Sequence, residues 1–549
     1  MKKKLFAGIT ITLFLMTATL SAIPLVSSDP GTVTIGLVGP MGWIQWDGIK
    51  EGALVAQELI NDAGGMGGTG DLLQFVYIDS HAVPTPQPDL GRRDLLAALD
   101  ANPDMDTIMG GFRSECVIPM REAAMDYAAA NGRPIWFIAG AATDDLLKVD
   151  EDYDRYKYMF RVTPMSTTSL FTQLAVLMQS LIFPKLEYIT GATLNVSIVA
   201  EQLVWCDSAV TLLETIIPVP KAMGGLGANH AGTWRPSAVA TDFSTEFTAM
   251  EAADTNVIIH IFSAVAGAAF IRQWGELGVT AVPVGINVES QMQEFYAAIG
   301  GECEYETLMA SVGTKTNTNP AAQPLDAIEF WEKTVEEYDH APIYTAWGVY
   351  DAIIGFNETY AQWVGKTCDE RIPLLEGAMG DRWGVLGHFK YAPPGVTEPV
   401  VDCEAHDIYV SQYAYTPIWP DGNVRSHIPQ WQDGNLEVVW PRGYAPHLGL
   451  GSTDALPFAK KYLLPPQSHM SSGGVSIAET DFAGNTAPTG VGGNFLMPDG
   501  QVDSTEMTQL TTLWQMKVPW TLLEADMDGD QLITVTDISR VAIDFGQSQ

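Results

Sequence analysis

Short apolar runs alternate with helical segments over the first part of the chain, and this alternation restricts the possible folds more than any other property of the sequence. The run VTIGLVGPMG (33–42) leads directly into a Gly/Pro turn, as expected for a buried parallel strand. Further strands are predicted at 72–79, 107–112 and 134–143, and helices at 48–65, 91–102 and 119–132. This order of elements predicts a doubly wound parallel sheet.

The same pattern restarts after FRVTP (160–164). Strands are predicted at 195–201, 256–262 and 281–287, with a helix at 268–278. A long helix at 344–364 opens a more aromatic section, which ends in QWQDGNLEVVWP (430–441), a strand pair around an Asp-Gly turn. The predicted fold class is therefore α/β: two doubly wound parallel-sheet lobes around a central cleft, followed by a small all-α module at the end of the chain.

The predicted domain boundaries follow changes in composition. A two-lobed domain occupies 32–448, with lobe 1 at about 32–163 plus part of 291–380, and lobe 2 at about 164–290 plus later return segments. Gly, Ser, Pro and Thr dominate 449–490, which is typical of a linker. The terminal module occupies 491–549.

The charge balance excludes one large class of partners. The chain carries 66 acidic and 29 basic residues and a formal net charge of −37. Because little cationic surface is available to replace phosphate counterions, nucleic-acid binding is not expected. Tight adsorption to anionic lipid is disfavoured for the same reason.

The N-terminus indicates export. Three lysines precede an apolar run that ends at small residues, in the order of a secretory signal. Cleavage of residues 1–26 and their retention as a membrane anchor are both open, and the expected location is extracytoplasmic. The five cysteines (116, 206, 303, 368 and 403) show no C-x-x-C spacing, so most are interpreted as isolated buried thiols, with a Cys368–Cys403 pair left open.

Two hydroxyl side chains follow predicted strands of lobe 1. Ser114 lies in GGFRSE after the third strand, and Thr143 lies in AGAATDD after the fourth. Hydroxyls and backbone N–H groups in such turns form a site for a carboxylate or a similar anion. The alternative interpretation is that both residues are ordinary helix N-caps.

Several segments together resemble the type I periplasmic binding proteins of ABC transporters, specifically the branched-chain amino acid binding family. The resemblance covers roughly 32–445 and is carried by IGLVGPMG, EGALVAQELINDAGG, TIMGGFRSE, PIWFIAGAATDDLL, FRVTP and QWQDGNLEVVWP. It implies that Ser114, Ala141 and Thr143 hold the α-carboxylate and α-amino groups of a ligand. It also implies that Trp205 closes over the ligand from the second lobe.

The resemblance is imperfect at the position expected to meet the ligand's ammonium group. Asn287 stands where the family places an acidic residue, and Glu289 lies two positions further on. Because an ammonium group in a closed cleft needs a strong acceptor, either Glu289 substitutes or the ligand is not a plain amino acid. Trp43 and Trp46 lie where the family contributes an aromatic wall; Trp46 is the candidate ligand contact, and lobe packing is the alternative.

No enzyme motif accompanies these turns. The sequence contains no H-E-x-x-H, no G-x-S-x-G and no G-x-x-x-x-G-K-[ST], and GGMGGTG (64–70) follows a helix rather than a strand. A binding function is therefore expected in place of catalysis.

The tail contains one complete calcium-loop pattern. In DMDGDQLITVTD (526–537), acidic and neutral oxygen donors recur at the spacing of an EF-hand loop. The predicted Ca²⁺ ligands are Asp526, Asp528, Asp530, Leu532, Thr534 and Asp537, although Gln531 replaces the usual Gly. A degenerate copy lies 31 residues earlier, with Asp499, Gly500, Asp503 and Glu506 at loop positions. The pair resembles a dockerin domain, which implies a structural calcium and a cohesin-like partner on a surface protein; an acidic turn without metal is the alternative.

Taken together, these features predict an extracytoplasmic solute-binding protein that captures an amino-acid-like or amide ligand and delivers it to ABC permease subunits. The alternatives are a sensory ligand-binding module and a cell-surface assembly protein docked through its tail.

Overall fold

The computed structural model describes residues 31–310, 325–377, 380–395, 404–409, 418–419, 426–440, 443–444 and 463–465. The predicted signal segment and C-terminal module lie outside these residues, as does the predicted linker apart from 463–465. In the described ranges, no helix is long and apolar enough to cross a membrane.

The first lobe is built on five parallel strands. They are β1 (Thr32–Gly39), β2 (Leu72–Asp79), β3 (Thr107–Gly110), β4 (Ile135–Ile138) and β5 (Met159–Arg161). Helices α1 (Ile44–Asp62), α2 (Pro88–Ala101), α3 (Ser114–Asn131) and α4 (Tyr153–Tyr156) connect or flank them. The sheet order is β2-β1-β3-β4-β5. Every residue of β3 and β4 is buried, which explains their continuous apolar sequences TIMG and IWFI.

The second lobe repeats this architecture. Its helices are α5 (Thr167–Leu177), α6 (Phe183–Thr190), α7 (Asp207–Ile216), α8 (Ser244–Ala252), α9 (Ala266–Glu276) and α10 (Glu294–Ala298). Its parallel strands are β6 (Asn195–Ala200), β7 (Asn229–Trp234), β8 (Val257–Phe262), β9 (Val282–Asn287) and β10 (Thr307–Leu308). The fold class predicted for these two lobes is confirmed.

The rest of the described chain returns to both lobes. Its helices are α11 (Leu325–Tyr338), α12 (Tyr344–Trp363) and α13 (Cys368–Leu375). Its strands are β11 (Arg382–Gly384), β12 (Gly387–Phe389), β13 (Ile418–Trp419), β14 (Ile428–Gln432), β15 (Asn435–Trp440) and β16 (Gly443–Tyr444). The β14–β15 hairpin turns at Asp433 and Gly434, both with positive φ, and β14 pairs antiparallel with β10. The second sheet is thereby extended to the order β15-β14-β10-β9-β8-β6-β7.

Helix α12 packs along α1 and so belongs to the first lobe, although it follows the second lobe in sequence. Two glycines of α1 permit this close approach. A Cβ at Gly48 would meet Thr345, and a Cβ at Gly52 would run into the carbonyl oxygen of Ala346. The large side chains Trp347 and Trp363 of α12 are fully buried. The chain therefore crosses between the lobes more than once.

Each sheet has one place where the strand order reverses. In the first sheet this place lies between β1 and β3, and in the second sheet between β6 and β8. The carboxyl ends of the strands at such a reversal are the preferred ligand position in open α/β sheets. In this chain the turns after all four strands contact one another across the lobes, and this contact positions the candidate site.

Candidate ligand-binding cleft

A small cavity lies between the lobes where the four turns meet. Most of its wall is apolar and comes from both lobes: Phe112, Met165, Leu170, Trp205, Ile286 and Val288. Polar groups enter at Arg113, Ser263, Gln291 and Tyr344. A mainly apolar, concave wall with a few convergent polar groups is the usual character of a small-molecule site.

Arg113 is the central charged residue of this cleft. It follows β3, precedes the first residue of α3, and has a positive φ of 57°, which is uncommon for a residue with a side chain. Its side chain is almost fully buried. Nε donates to Ser263 Oγ at 2.9 Å across the lobes, and Nη1 donates to the carbonyl oxygens of Ala82 (2.9 Å) and Pro84 (2.8 Å). The guanidinium is therefore held in one orientation by groups of both lobes.

Glu201 faces Arg113 from the second lobe. It directly follows β6 and is completely buried. Its Oε1 accepts from Trp205 Nε1 at 2.8 Å, from the Ser263 backbone N–H at 3.0 Å and from the Ser263 hydroxyl. Its Oε2 lies 3.7 Å from Arg113 Nη2. Burial raises the pKa of the Glu201 carboxyl, while Arg113 and the donors on Oε1 favour the charged form.

A second link between the lobes runs through Gln45, near the start of α1. Its side-chain Nε2 donates to the Ser263 backbone carbonyl oxygen at 3.0 Å, and the backbone carbonyl oxygen of Gln45 accepts from Thr345 Oγ1 at 3.1 Å. Ser263, which follows β8, thus receives hydrogen bonds from Arg113 and Gln45 and donates to Glu201. This one residue joins the turns after β1, β3, β6 and β8.

Ser114 and Thr143 lie together, as the predicted strand order requires. Ser114 Oγ accepts from the Thr143 backbone N–H at 3.2 Å. Ser114 is the first residue of α3 and not its N-cap, and Thr143 precedes a short helical turn without making a side-chain capping hydrogen bond. The simple N-cap interpretation therefore does not describe them. Ala141 is fully buried beside them, and its neighbours Gly140 and Ala142 line the cavity. Their contact with a ligand stays a prediction.

Asn287 and Glu289 flank a cavity-lining segment without forming its wall. Asn287 is fully buried and donates from Nδ2 to Glu306 Oε1 at 3.1 Å. Glu306 also accepts from Ser290 Oγ at 2.5 Å and lies 3.1 Å from His260 Nε2. The side-chain NH₂ group of Asn287 therefore already donates a hydrogen bond within lobe 2. Glu289 is half-buried; burial raises the pKa of its carboxyl and Arg113 lowers it, which places Glu289 within electrostatic range of the guanidinium.

The predicted aromatic residues separate into two positions. Trp205 lines the cavity and donates to Glu201. Trp46 is buried in lobe 1, packs edge-on against Tyr77 with ring centroids 5.3 Å apart, and is absent from the cavity wall that the described residues form. Of the two, Trp205 is the one that the structure places at the cleft.

Sequence reasoning overlooked Arg113, Glu201, Ser263, Gln291 and Tyr344. A signal for the first two was present, because each stands one to three residues beyond a buried strand, where a charged residue is either paired or functional. Their pairing was not visible, since they belong to different lobes.

The metal prediction lies outside this region. Among the described residues, no group of three or more His, Cys, Asp or Glu side chains is arranged to hold a metal ion. The predicted calcium ligands Asp526, Asp528, Asp530, Leu532, Thr534 and Asp537 all lie outside the described residues.

Comparisons with known proteins identify the fold. No protein-family model matches the chain, and no curated protein matches its sequence. Solved structures do match. The branched-chain amino acid binding protein LivJ of Streptococcus pneumoniae, in complex with isoleucine, is 16% identical with a TM-score of 0.55, over 75% of this chain and 100% of that one. The leucine binding protein LivK of Thermotoga maritima is 17% identical with a TM-score of 0.53, over 74% and 97%.

A third solved structure is similar to the same extent. It is a solute binding protein of an ABC transporter from Rhodopseudomonas palustris, in complex with 3,4-dihydroxybenzoic acid, 17% identical with a TM-score of 0.53, over 74% of this chain and 95% of that one. The matched proteins are covered almost end to end. The two lobes of this chain therefore have the fold of the type I periplasmic binding proteins.

Proposed function

We propose that the chain is an extracytoplasmic solute-binding protein, which captures a small amino-acid-like or amide ligand between its lobes and delivers it to an ABC importer. The observation that carries this proposal is the cavity at the joined strand-order reversals of the two sheets, with walls and hydrogen bonds from both lobes. The similar structures include amino acid and aromatic acid complexes of ABC transporter proteins, which supports the same use of this cleft.

The lining of the cavity supports a ligand with an uncharged, apolar body. Six apolar side chains line it, and Arg113 is the charged residue among the described residues of the wall. A ligand with branched aliphatic or aromatic carbons would bury them against Trp205 and Leu170, while its polar end met the turns after β3 and β6. Closure of the lobes around such a ligand is the hinge movement that permease subunits would recognise.

The proposal is tested by calorimetric titration of the purified chain with branched-chain and aromatic amino acids and their amides. At least one compound is expected to bind, and Trp205→Ala is expected to weaken its binding by about tenfold or more, because an aromatic wall of the cavity is lost. Trp383→Ala is the matched control, since Trp383 is 53% exposed and lies on the short β11–β12 hairpin away from the cleft. Absence of binding by every compound, or equal binding by both variants, would contradict the proposal.

We further propose that residues 491–549 form a dockerin-like module, folded by calcium and docked to a cohesin-like surface protein. The support is the spacing of oxygen donors in the loop 526–537. Titration of the full chain with Ca²⁺ tests this. The double variant Asp526→Ala/Asp530→Ala is expected to lose one tight site, whereas Asp499→Ala in the degenerate copy is expected to keep it. An unchanged calcium isotherm in the double variant would show that Asp526 and Asp530 are not calcium ligands.

A further inference from the structure

The hydrogen bonds around Arg113 and Glu201 leave one charged atom of each side chain unused. Arg113 Nη2 and Glu201 Oε2 are buried and have no hydrogen-bond partner among the residues that the structure describes. They face each other at 3.7 Å, too far apart for a hydrogen bond. A buried charged group without partners is costly, so an unused donor at the cavity wall and an unused acceptor next to that wall call for an explanation.

These two atoms are not needed to hold the side chains in place. Arg113 is already anchored by Nε and Nη1 to three oxygen atoms. Glu201 is already anchored by three donors on Oε1. A purely structural ion pair would close to direct contact, as Arg161 and Asp407 do at 2.5 Å in lobe 1. The positive φ of Arg113 is a further cost that is more often found at functional positions than elsewhere.

The charge at this point of the cleft limits the ligands that fit. Arg113 and Glu201 are both buried next to the cavity wall, and their charges cancel each other formally. A ligand with a net charge would leave that charge uncompensated in a water-poor cavity, which weakens its binding. Glu115 and Glu289 also act electrostatically on this pair: Glu115 Oε1 accepts from the Val204 N–H and its Oε2 is buried, while Glu289 is half-buried. Their sign adds to the penalty for an anion.

We propose that Arg113 and Glu201 select the ligand by its net charge. The bound molecule is neutral overall and carries one acceptor and one donor group close together: its carboxylate or amide carbonyl accepts from Arg113 Nη2, and its ammonium or amide N–H donates to Glu201 Oε2. This inference rests on the proposed ligand-binding function. It assigns the ligand's ammonium group to Glu201 rather than to Asn287 or Glu289.

The test uses ligands that share one apolar side chain and differ in charge. The leucine series consists of leucine (zwitterion), 4-methylpentanamide (neutral), 4-methylpentanoate (anion) and 3-methylbutylamine (cation). The phenylalanine series consists of phenylalanine, 3-phenylpropanamide, 3-phenylpropanoate and 2-phenylethylamine. In the wild-type chain, a net-neutral member of at least one series is expected to bind about tenfold or more tightly than the charged members, since the Arg113–Glu201 pair is itself neutral.

Two charge-neutralising variants are expected to change this order of ligand affinities in opposite directions. Glu201→Gln leaves the guanidinium uncompensated, so the carboxylate member should become the preferred ligand. Arg113→Gln leaves the carboxylate uncompensated, so the amine should become the preferred ligand. Glu201→Asp and Arg113→Lys keep the charges, so the order of ligand affinities is expected to stay as in the wild type. This order is measured in these two variants if either neutral variant fails to fold. Exposed Glu276→Gln is the matched surface control.

The possible outcomes separate this inference from the function on which it rests. If the wild-type chain binds no member of either series, both fail. If it binds a net-neutral ligand but Glu201→Gln and Arg113→Gln weaken all ligands equally, the pair is structural and the inference is overturned while the function stands. If Glu289→Gln rather than Glu201→Gln produces the change of order, Glu289 is the partner of the ammonium group and the assignment to Glu201 is wrong.

Discussion

Arg161 shows how much a single buried residue determines in the first lobe. It ends β5, is completely buried, and pairs through Nη1 with Asp407 Oδ2 at 2.5 Å. Its Nη2 donates to the carbonyl oxygen of Thr143 at 2.8 Å. The residue therefore supports the turn that contains Ala141 and Thr143, although it has no contact with the cavity wall.

Arg161→Ala is expected to lower the free energy of unfolding by about 3–5 kcal/mol, because Asp407 would remain buried without its partner. Urea denaturation followed by tryptophan fluorescence measures this change. Arg272→Ala is the control: its pair with Glu276 spans 3.8 Å with both side chains about half exposed, so the expected change is less than about 1 kcal/mol. Similar losses of unfolding free energy in both variants would show that the buried Arg161–Asp407 pair stabilises the fold no more than an exposed ion pair does.

At the scale of elements, the contact between α1 and α12 reverses the usual effect of a glycine substitution. In an exposed helix, Gly→Ala stabilises by roughly 1 kcal/mol. At Gly52 the added methyl group would overlap the Ala346 carbonyl, which belongs to a helix backbone and cannot move independently. Gly52→Ala is therefore expected to destabilise the chain by about 1–3 kcal/mol in thermal or urea unfolding. Glu58→Ala, on the exposed side of α1, should change stability by less than about 1 kcal/mol.

The segment between α11 and α12 is tied to α1 by a titratable pair. His340 Nε2 lies 3.3 Å from Glu51 Oε1, and this hydrogen bond to Glu51 is the main cause that raises the pKa of His340 to about 9. Because the folded-state pKa lies above the usual value of about 6.5, the stabilisation is complete below pH about 6.5 and is lost as the pH rises through about 9. The His340 side chain is 23% exposed, so solvent screening reduces the effect to about 1–2 kcal/mol.

His340→Gln provides the comparison for this pH dependence. The stability difference between wild type and variant, measured by urea denaturation at several pH values, is expected to shrink between pH about 6.5 and 9.5. Other groups that titrate in this range cancel in the difference. A stability difference that stays constant over this window would show that the pair does not stabilise the fold through its charge.

At the scale of the whole molecule, the net charge of −37 opposes compaction. Raising the NaCl concentration from about 20 to about 300 mM shortens the screening length and should raise the midpoint of thermal unfolding by about 2 °C or more. KCl at the same ionic strength is expected to act equally, because screening does not depend on the identity of the cation. A midpoint unaffected by either salt, or raised by only one of them, would contradict this explanation.

The strands and helices were largely predictable because their signals are local. Strands buried on both faces require continuous apolar runs, and the Asp-Gly pair identifies the β14–β15 hairpin without any knowledge of its neighbours. The start of α3 was predicted too late, at 119 instead of Ser114. Pro119 suggested a boundary, yet the Arg113 carbonyl accepts from the N–H groups of Cys116 and Val117 and begins the helix earlier.

The amino-acid order alone was sufficient to establish the two α/β lobes and to bring Ser114 and Thr143 together, since both follow adjacent parallel strands of one sheet. The charged centre of the cleft depended on the tertiary structure. Arg113 and Ser263 are 150 residues apart and meet only because two lobes pack with their strand-order reversals facing each other. The donor end of the Asn287 amide binds Glu306 because β9 and β10 lie side by side in the sheet of lobe 2. Periodicity and turn chemistry specify which side chains end a strand, whereas the packing of the lobes decides which of those side chains face each other.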